Sequence, residues 1–158
     1  MEKTLNEFKR LLEILDELRE KWPWDRKQTN ESLRTQTIEE VYELSDALMK
    51  DQTDEIKKEL GDVLLHVVFY AKIAKEKHQF EIYDVINSIC EQLIYRHPHI
   101  FGDVEAKTAE EVKENWERLK LKEAPKKTVL GGVPDSLPSI IKAYRMQDKA
   151  RGVGFDWE

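Results

Sequence analysis

Asp54-Glu55-Ile56-Lys57-Lys58-Glu59-Leu60-Gly61-Asp62-Val63-Leu64-Leu65-His66-Val67-Val68 sets Ile56, Leu60, Val63, Leu64, Val67 and Val68 three and four residues apart. That is the period of an α-helix with one apolar face. Thr53 or Asp54 can cap it, Gly61 is its one interior breaker, and the pattern runs on to about Lys75. The same period recurs on both sides. Upstream, Thr37-Ile38-Glu39-Glu40 has the form of a capping box, and a helix is expected from about Thr37, or from an earlier start, to Lys50. Before it, Trp22-Pro23 ends a helix from Thr4 to Lys21, marked by Leu5, Phe8, Leu12 and Leu15, and a polar loop is expected to about Asn30.

Downstream, Ile82, Ile86, Ile89 and Leu93 mark a fourth helix from Glu81 to Arg96, closed by Pro98. Thr108-Ala109-Glu110-Glu111 repeats the capping-box form ahead of Val112, Trp116 and Leu119, which predicts a fifth. Pro125, Gly131-Gly132 and Pro134 give residues 122–135 the character of a linker, before a final helical pattern from Ser136 to about Arg151. No alternating run suggests a strand, so the expected fold class is all-α, a bundle of about five to six helices.

The 158 residues suit one ordinary domain, and 26 Lys and Arg against 32 Asp and Glu leave a net charge of −6. An acidic chain has no general attraction for a phosphate backbone, so nucleic acid polymers are not expected as partners. The longest apolar stretch, Val63 to Ala74, is broken by His66 and Lys72 and falls short of the roughly 20 residues of a spanning helix, so no membrane association is expected. No leader segment is expected either. One cysteine, Cys90, permits no internal disulfide, and a cytoplasmic setting follows as the expectation. Among Ile89, Leu93 and Ile94, Cys90 reads as a small buried hydrophobe.

The chemistry concentrates in the second and third helices. Residues three apart share a helical face, so Glu40 projects with Glu43, and Glu59 with Asp62. Only a short turn near Lys50 to Thr53 separates the helices, and antiparallel packing brings the two pairs face to face. Such a cluster resists joint ionisation unless a cation occupies it. All-oxygen ligands favour magnesium, manganese or calcium, and magnesium also engages substrate phosphates. The competing reading is decoration: Glu40 can complete the capping box with Thr37, and Glu59 can pair with a nearby lysine on a solvated face. Asp62 tips the balance, because it stands beside Val63-Leu64-Leu65, where an unpaired charge is costly. Gly61 costs about 1 kcal/mol in mid-helix relative to alanine, which suggests the close approach of a helix or ligand.

In order, Trp22-Pro23-Trp24-Asp25, Gln28-Thr29, Glu39-Glu40-x-x-Glu43, Glu59-Leu60-Gly61-Asp62, Arg96-His97-Pro98-His99 and Gly152-Val153-Gly154-Phe155-Asp156-Trp157 span nearly the whole chain. Together they closely resemble the MazG-type nucleoside triphosphate pyrophosphohydrolases. The resemblance implies an all-α fold and cleavage between the α- and β-phosphates of a nucleoside triphosphate, giving the monophosphate and pyrophosphate. It implies magnesium as cofactor, with manganese able to substitute, held by Glu40, Glu43, Glu59 and Asp62. Glu39, the doubled position of the motif, is expected to position water and completes the catalytic set. It further implies a homodimer or homotetramer, and a division into a MazG-like helical metal-binding domain over 1–121, a linker over 122–135, and a C-terminal helix with an inter-repeat boundary over 136–158. Two other readings stay open: a non-catalytic regulatory or dimerisation repeat, and a narrower enzyme resembling those that act on dUTP or dCTP.

Outside the carboxylates, Arg96, Lys120, Arg145 and Lys149 are candidate phosphate contacts, because an acidic protein holding a triphosphate needs cations beside it. Trp24 and Trp116 are candidates for stacking on the base, with packing as the alternative for each. His66, four residues beyond Asp62, reads either as a donor to a carboxylate or as a satisfied core histidine, while His97 and His99 are expected to fix their loop.

Overall fold

The computed structural model describes residues 1–102, 108, 112, 116, 119 and 128–155. These form α1 (Glu2–Lys21), α2 (Pro23–Lys27), α3 (Asn30–Met49), α4 (Thr53–Glu76), α5 (Ile82–Arg96), α6 (Pro98–Phe101) and α7 (Ser139–Arg151), with no strand among the described residues. The fold class is all-α, as the periodicity requires.

Two expectations upstream of the carboxylates give way. The loop after Trp22 contains a short helix, α2, which starts on Pro23, where a missing N–H costs nothing and φ is already helical. And α3 begins seven residues before Thr37, at Asn30. Its true capping box is Thr29 with Ser32: the Thr29 hydroxyl accepts from the Ser32 N–H at 3.2 Å, and the Ser32 hydroxyl accepts from the Thr29 N–H at 2.9 Å. Serine at the third position is not the expected Glu or Gln, so the later Thr37 pattern drew the boundary. Thr37 is interior to α3, and its hydroxyl donates to the Leu33 carbonyl at 2.9 Å.

The chain divides into two compact units, Met1–Asn87 and Ser88–Glu158. In the first, α4 is the central element, with Val68, Phe69 and Ile73 buried against Leu15 of α1 and Leu33 of α3. Phe8, Leu11, Leu12, Leu65, Tyr70 and Ile82 pack around them. α3 returns along α4 through a tight turn at Asp51, whose φ of 51° is left-handed. The Gln52 N–H bonds to the Ala47 carbonyl at 3.1 Å and the Asp51 N–H to that of Leu48 at 3.2 Å, closing the helix end as a Schellman motif. Three residues thus reverse the chain, and the reversal sets the register in which the carboxylates meet.

Arg19 ties α1 to both ends of what surrounds it. Its guanidinium donates to the backbone carbonyls of Asp25 and Gln28, grips the Glu76 carboxylate through both Nε and NH2, and lies 5.5 Å from the centre of the Phe69 ring. The Arg19 hydrogen bonds hold the Glu76 carboxyl below its ordinary value. A depressed carboxyl contributes stability at pH values above its unfolded pKa, near 4.3, and loses it as pH falls through the folded value. Glu76→Gln should therefore lower stability at pH 7 and flatten the loss of stability below about pH 4.5, as read from denaturant midpoints between pH 3 and 7; parallel pH profiles for the two proteins exclude this pair as their cause.

The α5 stripe is exposed at Ile86, Ile89 and Leu93, and Cys90 is exposed rather than buried. The apolar period there is genuine, but no described element covers that face. The helix expected to open at Thr108 falls on a segment described only at Thr108, Val112, Trp116 and Leu119, where the Val112 N–H bonds to the Thr108 carbonyl at 3.2 Å. Residues 122–127 of the expected linker lie outside the described residues. No helix among those described is long and apolar enough to cross a membrane.

Candidate metal centre

Residue numbers fall along α3 as they rise along α4, so side chains three or four apart on one helix meet their counterparts in reverse order on the other. One carboxylate oxygen each from Glu40, Glu43 and Glu59 lie within 4.8 Å of one another. Glu40 is half-buried, Glu43 exposed and Glu59 buried at 4% exposure. The Glu40 carboxyl is raised above its ordinary value, first by desolvation and then by the charges of Asp62, Glu43, Glu59 and Glu39. Burial and four neighbouring carboxylates together disfavour its ionisation.

Burial falls differently from the sequence expectation. Asp62 was to be the costly charge, yet its side chain is 40% exposed; Glu59 is the buried one. The apolar run after Asp62 turns Val68 and Phe69 inward further along α4, whereas Leu60, Leu64 and Val67 face outward. One oxygen of Glu59, Oε2, is buried without a hydrogen-bond partner among the described residues, while Oε1 accepts from Lys58 Nζ at 2.6 Å. An orphaned buried carboxylate oxygen beside two further carboxylates fits a hard divalent cation, which takes oxygen ligands and removes the cost of the bare charge. Glu39 is exposed next to this cluster in sequence and adds its charge to the field on Glu40.

Beneath the carboxylates lies a polar network that the sequence had left open. Thr37 Oγ1 is 2.6 Å from His66 Nδ1 and 2.6 Å from the Tyr70 hydroxyl. Because Thr37 uses its one hydrogen on Leu33, His66 and Tyr70 must both donate to it, which puts the His66 proton on Nδ1. Burial lowers the His66 pKa against the opposing pull of Asp62, which favours the neutral ring. His66 is thus a satisfied buried histidine that pins α4 to α3 one turn from Asp62 and Glu40, rather than a donor to a carboxylate.

Gly61 does not serve a close approach within this chain: no described atom lies within 4 Å of where its Cβ would stand. Gly61→Ala should raise stability by about 0.5–1 kcal/mol through helix propensity alone, measured from the denaturant midpoint. A loss of stability instead would reveal a hidden constraint on the backbone between Glu59 and Asp62.

The remaining candidates are placed as follows. Trp24 is exposed on α2, with its ring centroid 6.0 Å from that of Trp22. In the second unit, Arg96 lies over the ring of the half-buried Trp116 at 5.7 Å, Arg145 pairs with Asp148 at 2.5 Å, and Lys149 Nζ stands 3.3 Å from where a Gly132 Cβ would be. His97 Nδ1 is 2.7 Å from the Leu93 carbonyl oxygen, which ties it back to the end of α5. Lys120 and residues 156–158 lie outside the described residues. The sequence reading missed Arg19, Thr37, Tyr70 and Lys58, whose roles arise from contacts between helices or from a side chain's direction. It also missed Asp25, buried at 4% on α2 with Oδ2 lacking a hydrogen-bond partner among the described residues.

The fold and site define an all-α protein with a carboxylate cluster set between two antiparallel helices. The family model described as the MazG nucleotide pyrophosphohydrolase domain matches residues 28–101, the span that holds α3, α4 and α5. The chain thus carries a MazG domain over residues 28–101. It is 39% identical over 159 residues to the Escherichia coli K12 nucleoside triphosphate pyrophosphohydrolase, covering 97% of this chain and 60% of that protein. It is 45% identical over 155 residues to the Thermotoga maritima nucleoside triphosphate pyrophosphohydrolase/pyrophosphatase MazG, covering 96% and 59%. The chain therefore spans about 60% of the length of these relatives. A crystal structure of a mazG-related protein from Thermotoga maritima superposes with a TM-score of 0.62 at 28% identity, over 71% of this chain and 97% of that one.

Proposed function

We propose that the chain is a magnesium-dependent nucleoside triphosphate pyrophosphohydrolase, cleaving between the α- and β-phosphates to release monophosphate and pyrophosphate. The observation that carries this reading is the convergence of Glu40, Glu43 and Glu59 around a buried carboxylate oxygen with no hydrogen-bond partner among the described residues. Relatives bearing the name nucleoside triphosphate pyrophosphohydrolase support it. Glu40 and Glu43 from α3, with Glu59 and Asp62 from α4, hold the cation. Bound there, magnesium supplies neutralisation of triphosphate charge and acidifies water for attack at phosphorus. Manganese, with the same preference for oxygen, substitutes.

Each residue has its own part. Glu59, buried and fixed by packing, sets the floor of the site; Glu43 and Asp62 close it from the solvent side. Glu39, exposed and outside the converging set, is free to hold a water or accept its proton. The Thr37, His66 and Tyr70 bonds keep the two helices in register below, so the carboxylates stay in position without substrate. Trp24, Arg96, Trp116, Lys120, Arg145 and Lys149 remain proposed substrate contacts.

The functional form is proposed to contain a second copy of the chain. Ile38 and Val41 on α3 and Leu60, Leu64 and Val67 on α4 are exposed apolar groups interleaved with the carboxylates, a face that water covers poorly.

The test is a panel of ribo- and deoxyribonucleoside triphosphates with magnesium, products separated by chromatography and pyrophosphate assayed apart from phosphate. Monophosphate with equimolar pyrophosphate, lost on chelation, is expected. Diphosphate with phosphate overturns the cleavage position; no product from a folded, metal-loaded chain overturns the enzyme reading in favour of a binding repeat. A single preferred pyrimidine nucleotide would define the narrower enzyme.

A further inference from the structure

Among the described residues, one cation touches the candidate metal centre. Lys58 Nζ is 2.6 Å from Glu59 Oε1 and 3.9 Å from Asp62 Oδ2, so its ammonium spans both carboxylates that α4 contributes. The side chain is 60% exposed, on a flexible stem whose other ion-pair partner among the described residues is Asp62 alone. The neighbouring Lys57 differs: its ammonium turns away to Asp54 at 2.9 Å. Two adjacent lysines on one helix therefore have separate roles, and only Lys58 is directed at the site.

We infer that Lys58 is the resident counter-cation of the metal-free centre, displaced when a divalent cation loads and then turned to the phosphates of the bound nucleotide. This rests on the metal-site reading above and deepens it. Glu59 and Asp62 cannot offer the same oxygens to an ammonium and to a divalent ion, and two positive charges within a few ångströms repel. Loading the ion therefore breaks both Lys58 contacts. A released ammonium on an exposed stem stays within reach of the same opening, where a polyphosphate brings up to four negative charges. Phosphate is the natural acceptor for a lysine acting as a mobile point charge. The two contacts are mutually exclusive, so Lys58 opposes the metal alone and favours the metal with nucleotide.

This gives two effects of opposite sign in one variant. Manganese is titrated calorimetrically into the wild-type chain, Lys58→Met and Lys57→Met, and an α,β-imido nucleoside triphosphate is then titrated into each manganese-loaded protein. Breaking an exposed ammonium–carboxylate pair is worth about two- to fivefold in an equilibrium. Lys58→Met should bind manganese about two- to fivefold more tightly and the analogue several-fold more weakly. Lys57→Met, with the same change in net charge, should move neither by as much as twofold. Unchanged or weaker manganese binding in Lys58→Met overturns the displacement; unchanged analogue binding overturns the phosphate contact; equal shifts in both variants reduce the effect to net charge. Absence of manganese binding by the wild-type chain instead removes the metal-site reading itself, an outcome distinct from all three.

Discussion

Glu59→Gln is expected to cut the proposed turnover by orders of magnitude yet leave the metal-free chain at least as stable as the wild type. The opposite signs follow from where Glu59 stands. It is the buried member of the cluster, with one oxygen that finds no donor among the described residues and two glutamates whose oxygens lie within 4.8 Å. An amide of the same shape removes a charge from a site already crowded with its own kind, and its NH2 can donate to a neighbouring carboxylate. The bond lost with Lys58 is to an ammonium largely in water and offsets little of that gain. The proposed cation, however, would lose its fixed anionic ligand. Charge stabilisation of several kcal/mol at the transition state corresponds to about 10²–10⁴-fold in rate. The checks are steady-state pyrophosphate release and thermal unfolding with and without magnesium. On the proposed metal-site reading, magnesium should raise the wild-type midpoint, as any ligand of the folded form alone does, and should leave that of the variant unmoved. A variant that turns over at more than a tenth of the wild-type rate excludes Glu59 as a ligand.

Arg19→Ala carries the largest expected cost in stability. The side chain is 9% exposed and holds four separate partners: two carbonyls on the chain entering α3, the Glu76 carboxylate and the face of Phe69. Breaking a buried charged network typically costs 3–5 kcal/mol, because its partners are left unpaired. Glu76 is 40% exposed and rehydrates, so the lower part of that range applies. The expected loss is about 2–4 kcal/mol, a fall in melting temperature of roughly 5–15 °C. Arg19→Lys should recover little of it, since an ammonium cannot fork between a carboxylate and two carbonyls. A melting temperature within 2 °C of the wild type in both variants excludes the clamp. The loss should also be greatest for α2, detectable as faster amide exchange over Pro23–Lys27 than over α4.

The helical class, the approximate extent of α1, α4 and α5, and the pairing of Glu40 with Glu43 and of Glu59 with Asp62 were all determined by the sequence. Helical period is a local property, and residues three apart share a face whatever the helix packs against. The start of α3 was misplaced because two capping signals compete in one stretch, and only the Thr29 and Ser32 hydroxyls, bonded to each other's backbone N–H, distinguish the real one.

Everything that depends on a partner helix was decided by tertiary structure. Composition around Asp62 suggested that it was the buried charge, but the rotation of α4 against α3 buries Glu59 instead. Cys90 and the α5 stripe have the periodicity of a core and lie exposed, because periodicity says which face is apolar and not whether anything covers it. Thr37 became a junction for His66 and Tyr70 because the three-residue reversal at Asp51 fixes an antiparallel register. Arg19 and Lys58 look like any surface cation in a chain that is 37% charged. Only the direction of each side chain, set by what its helix faces, separates a clamp and a counter-cation from the solvated majority.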